Sequence, residues 1–124
     1  MKSYTDLSQS KKLAEILPLE SADMWFANGM VVAKDSIDAL DDLEGVFHCW
    51  SLAALLEKIP YTIMNIKGED LRLHIDKDNH QYSLFYENEY TGDMFEIETK
   101  LYDDMIDACY EMIIKLNEQN LFVK

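Results

Sequence analysis

Leu71-Arg72-Leu73-His74-Ile75-Asp76-Lys77-Asp78-Asn79-His80-Gln81-Tyr82-Ser83-Leu84-Phe85-Tyr86-Glu87 is the stretch on which the fold turns. Leu71, Leu73 and Ile75 fall on one side of an extended chain and Arg72, His74 and Asp76 on the other, because successive strand side chains point to opposite faces. Tyr82, Leu84 and Tyr86 resume that period after Lys77-Asp78-Asn79-His80, a run of turn-forming residues. Upstream, Thr62, Met64 and Ile66 alternate with Ile63 and Asn65. Downstream, Phe95 and Ile97 alternate with Glu96 and Glu98. The separators at 67–70 and 90–93 are as short and polar as the central one. Alternating runs joined by short turns predict an antiparallel β-meander of about four strands with one apolar face.

Such a face needs a cover. The C-terminal segment 103–119 supplies one, as an amphipathic helix with Met105, Ile106, Cys109, Met112, Ile113 and Leu116 in a stripe. Asn120 is placed to end it in the left-handed conformation, and Leu121-Phe122-Val123 reads as a docked tail. Toward the N-terminus, a helix over 7–17 is capped by Asp6 or Ser8 and stopped by Pro18. Asn28-Gly29 predicts the turn of a small hairpin between Trp25-Phe26 and Met30-Val31-Val32. A short helix over 36–43 ends at Gly45. A better one follows, capped by Ser51, with Leu52, Leu55, Leu56 and Ile59 at helical spacing and Pro60 behind them. The fold class is therefore α+β: an antiparallel meander covered by a C-terminal helix, with N-terminal helices and a small hairpin.

A chain of 124 residues fits one domain, 1–124, and can bury roughly 65–70 % of its unfolded surface without a disulfide or structural metal. Apolar residues make up 48 %, too many for a disordered chain. The N-terminus lacks the apolar core of a secretory signal. No apolar run is long enough to span a bilayer. Cys49 and Cys109 read as free, inert core thiols of a cytoplasmic protein. Acidic residues number 24 against 11 basic, a net charge of −13. That excludes direct nucleic-acid binding through phosphate neutralisation and docking on an anionic membrane. It suits a basic protein as partner.

Motifs that would carry chemistry fail on mechanism. In His48-Cys49-Trp50-Ser51, neighbouring side chains of an extended segment point apart, so His48 does not serve Cys49 as a base. The segment reads instead as a helix entry, with Trp25 and Trp50 as half-buried anchors. Asp76 to Glu87 has the length of a calcium loop, but Gln81 stands where that loop needs glycine for its sharp turn. The three His and two Cys show no zinc spacing, and four scattered Gly form no phosphate-binding loop. No catalytic residue, metal ligand or cofactor is assigned. Acids cluster at Asp35, Asp38, Asp41, Asp42 and Glu44, and again from Glu87 to Asp107. Glu96 and Glu98 would keep the last strand's edge from aggregating.

Cys49-Trp50-Ser51-Leu52-Ala53-Ala54-Leu55-Leu56-Glu57, running on to Ile59-Pro60, Asp107-Ala108-Cys109-Tyr110-Glu111-Met112-Ile113-Ile114-Lys115-Leu116, and Ser21-Ala22-Asp23-Met24 carry a resemblance. Together, and in their order along the chain, they resemble a family of small uncharacterised proteins of gut bacteria and their phages or mobile elements. The resemblance implies a mobile-element context and a cytoplasmic location, and brings no known activity or site residue with it.

These readings converge on a non-enzymatic accessory or protein-interaction protein. A narrower form is an acidic inhibitor that mimics nucleic acid on a basic host protein. A reading of another class is a small-ligand binder or enzyme, with a pocket between the sheet and the helix starting at Ser51. His48, Trp50 and His74 are its candidate binding residues.

Overall fold

The computed structural model describes residues 2–27, 29–34, 45–64, 68–88, 90 and 94–121. They belong to two compact units, Lys2–Lys58 and Ile59–Val123. The α+β class holds: helices and two antiparallel sheets share the described residues.

In the first unit, helix α1 spans Leu7–Ala14. Asp6 starts it with a capping box: Gln9 N–H donates to Asp6 Oδ1 at 2.8 Å, and Asp6 N–H donates to Gln9 Oε1 at 3.1 Å. Two backbone donors that the first turn leaves open are thereby satisfied. The helix is shorter than the 7–17 expected, although Leu13, Ile16 and Leu17 are all buried. The 16 and 17 amides still reach back to Leu13, at 2.9 and 2.8 Å. A single 3₁₀ turn, Leu19–Ser21, follows Pro18.

Strands β1 (Met24–Ala27) and β2 (Met30–Ala33) make the expected hairpin, with Ala27 opposite Met30 and Gly29 at φ 76°. That φ is open to glycine at no steric cost. The sheet has a third strand that the periodicity did not announce. Val46–Cys49 is β3, antiparallel to β1, and the order is β2-β1-β3. Its residues are half-buried except Cys49, so no apolar–polar alternation marks it. The expected helix over 36–43 and the first acidic cluster lie outside the described residues.

Helix α2, Leu52–Lys58, starts at Ser51 as expected. Ser51 Oγ accepts from Ala54 N–H at 3.2 Å, the geometry of an N-cap.

The second unit is the meander. β4 (Thr62–Met64), β5 (Asp70–Asp78), β6 (Gln81–Glu87) and β7 (Met94–Glu98) pair antiparallel in the order β4-β5-β6-β7. The register puts Ile63 opposite Leu71, Leu73 opposite Tyr86, and Ile75 opposite Leu84. These residues share one face by the two-residue period. Leu71, Leu84 and Tyr86 are essentially inaccessible to water. Helix α3, Met105–Glu118, packs on β6 and β7. Its Ile106, Cys109, Met112, Ile113 and Leu116 are fully buried, as the stripe predicted. Asn120, at φ 57°, ends it; the tail beyond 121 lies outside the described residues.

Two polar contacts, one buried and one part-buried, tie the sheet to its flanks. Leu84 N–H donates to Thr99 Oγ1 at 2.8 Å, and Tyr86 Oη donates to Pro60 O at 2.6 Å. Each lets a buried polar group keep a partner out of water.

Candidate functional site

The sequence candidates divide between the two units. His48 lies on β3 opposite Trp25 of β1. Its Nδ1 is 2.7 Å from Lys34 Nζ, and Lys34 Nζ also donates to Leu19 O at 3.2 Å. The ammonium sits 4.5 Å from the centre of the Trp25 ring, and His48 tilts against that ring at 4.7 Å. An ammonium has only donors, so His48 Nδ1 accepts, which fixes the tautomer with the proton on Nε2. His48 is thus engaged within its own sheet.

Trp50 is fully buried rather than half-buried, and Trp25 is nearly so at 4 % exposure. The indole N–H of Trp50 donates to Ser21 Oγ at 2.9 Å. Its backbone is locked to Thr5: Trp50 N–H donates to Thr5 Oγ1 at 3.1 Å, and Thr5 N–H donates to Trp50 O at 2.9 Å. An indole whose polar tip has a partner can enter a core completely. Trp25 differs: its buried Nε1 has no hydrogen-bond partner among the described residues.

His74 belongs to the second unit, on β5 opposite Phe85, and its ring stacks on Phe85 at 5.2 Å and 10°. It is a cross-strand packing residue.

Neither thiol is poised for chemistry. Burial, together with the Asp23 carboxylate and against the pull of Lys34, pushes the Cys49 thiol up to about 11. Burial alone pushes Cys109 up to about 12. At neutral pH both are protonated, and the thiolate is the nucleophile. Both are free and buried.

The segment resembling a calcium loop is a hairpin. Asp76, Lys77 and Asp78 finish β5, Asn79 turns at φ 61°, and Gln81 already opens β6. Asp76 pairs with Ser83 while Glu87 pairs with Arg72. Those two rungs are four steps apart along β5, roughly 13 Å, so Glu87 does not share a coordination shell with Asp76. Among the described residues no group of three or more His, Cys, Asp or Glu is placed to hold a metal ion. Nor is any helix among them long and apolar enough to cross a membrane.

Beside the helix that starts at Ser51 runs a groove of about 410 Å³, open to solvent. Glu20, Ser21, Ala22 and Asp23 line one side, and Ala53, Ala54, Glu57 and Lys58 the other. None of the sequence candidates lines it, although Trp50 holds Ser21 from beneath. Asp23 is committed there to structure: it accepts from Ser51 N–H at 2.9 Å and from Ser51 Oγ.

Beside the edge strand β4 stand residue types that are frequent in protein contacts. Tyr61 is 64 % exposed and Met64 59 % exposed, at the two ends of the edge strand β4. Arg72, opposite Thr62, lies 5.9 Å from the centre of the Tyr61 ring. Tyr, Met and Arg are enriched in interfaces. Sequence reasoning passed over Tyr61 and Met64, because alternation assigns a face without saying which strand is left at the edge.

Comparison of the chain with protein-family models, with curated proteins and with solved structures returns no match.

Proposed function

We propose that this chain is a non-enzymatic accessory protein, of phage or mobile-element origin and cytoplasmic, that acts by contacting another protein. The observation that carries the reading is the exposure of Tyr61 and Met64 at edge strand β4, with Arg72 of the neighbouring β5 5.9 Å from the Tyr61 ring. A large side chain held in water is a cost that contact with a partner relieves. The −13 charge favours a basic partner and speeds its approach. Both thiols are protonated at neutral pH, and His48 is engaged by Lys34.

Affinity capture from the producing cell, with the wild type and with Met64→Asp, tests this together with a broad substrate screen. The expected result is a protein captured by the wild type and lost with Met64→Asp. Turnover of a substrate that Met64→Asp leaves unchanged, with no captured protein, would overturn it.

A further inference from the structure

The pairing of β4 with β5 determines which of its backbone groups are spent. Leu73 N–H donates to Tyr61 O at 2.8 Å. Tyr61 and Leu73 therefore form a hydrogen-bonded rung, one step beyond the rung of Thr62 with Arg72. In an antiparallel ladder such rungs alternate with rungs that exchange no hydrogen bonds. Ile63 with Leu71 is then the next bonded rung, while Thr62–Arg72 and Met64–Asp70 are not. It follows that the N–H and C=O groups of Thr62 and Met64 point away from β5. β4 is the end strand of its sheet, and Thr62 and Met64 are both exposed.

An open strand edge is a template for another strand. Exposed Tyr61 stands just before the strand and exposed Met64 at its end. The charge decides between occupants. Residues 59–124 contain 14 acidic and 6 basic residues, a net of −8. A second copy would bring the same charge, whereas a segment carrying Lys or Arg is drawn in. The three-residue length of β4 limits the backbone contribution to two rungs, so binding also needs the side chains and the charge.

We infer that β4 is the docking edge for an extended, Lys/Arg-bearing segment of a partner protein, which adds as a strand beside Thr62 and Met64. The inference rests on the protein-contact reading above and specifies its mode. Strand addition takes affinity from main-chain hydrogen bonds and specificity from alternate side chains.

The test titrates the full chain with a short synthetic peptide of alternating Lys and Val. Hydrogen exchange of the Thr62 and Met64 amides is followed throughout. Both amides are expected to gain protection on binding. The same peptide N-methylated at alternate residues should bind about tenfold more weakly or worse, having lost its donors. A Glu-Val peptide should not bind. Thr62→Pro, which removes an amide the sheet does not use, should abolish the protection at Met64; if that variant does not fold, the N-methylated peptide decides. Equal binding of the N-methylated peptide, or no protection at millimolar peptide, overturns strand addition. So does protection without peptide in a protein that sediments as a dimer, which would make the occupant a second copy. Capture that depends on Met64 alongside failure of the peptide experiment would leave the protein-contact reading standing and sink only the strand mode.

Discussion

Cys49 and Cys109 show how far burial, rather than residue type, decides reactivity. Their thiols are raised to about 11 and about 12, chiefly by desolvation. Labelling of the native protein by a thiol reagent at neutral pH should be slower than that of a free cysteine by tenfold or more, with full labelling in denaturant. Fast labelling of Cys49 in the native state would restore the nucleophile. The sign for stability follows from linkage. Above pH ~8.5 the unfolded thiols ionise while the folded ones stay protonated, so the unfolded state binds fewer protons and stability falls as pH rises. Tyr86 acts in the same direction: burial raises its phenol well above the ordinary value. Tyr86→Phe leaves the half-buried Pro60 O without its 2.6 Å donor and should cost about 1 kcal/mol in denaturant unfolding, the net contribution of a hydrogen bond. No loss would mean that water reaches that carbonyl.

At the level of elements, α1 depends on its cap. Asp6→Ala removes the acceptor for Gln9 N–H and should lower stability by about 1 kcal/mol. Burial pulls the Asp6 carboxyl up, but the Gln9 N–H, Lys2 and Ser8 together bring it below its ordinary value. A depressed carboxyl stabilises above its unfolded pKa, ~3.9, and that contribution is lost as pH falls below it. The wild type should therefore lose more stability than Asp6→Ala between pH 5 and 2; parallel acid profiles would contradict the cap's role.

The elements legible in the sequence are those with a sustained period. β5 and β6, nine and seven residues long, carry Leu71, Leu73 and Ile75, and Tyr82, Leu84 and Tyr86, at two-residue spacing, and the α3 stripe lies within a helix of fourteen residues. β3 escaped because Val46–Cys49 has three half-buried residues and one buried, a pattern with no period. Trp50 reads from the sequence as half-buried, yet the structure buries it fully. The partner of its polar tip, Ser21, is 29 positions away in sequence, and only tertiary structure brings it there. The exposed edge at β4 was invisible for the same reason, since strand order is a property of the sheet.

For the whole molecule, charge and contact surface belong together. A net of −13 makes association with a basic partner sensitive to screening, so affinity should fall as salt rises from ~0.01 M to ~1 M, where the Debye length shrinks from about 30 to about 3 Å. The decisive measurement places a photo-cross-linking side chain at Tyr61 and, in a control, at the exposed Glu118, with the protein made in its own cell. The expected result is a discrete protein adduct from position 61, absent from position 118 and weakened by Met64→Asp. Equal adducts from both positions, or none from position 61, would contradict a protein contact at β4.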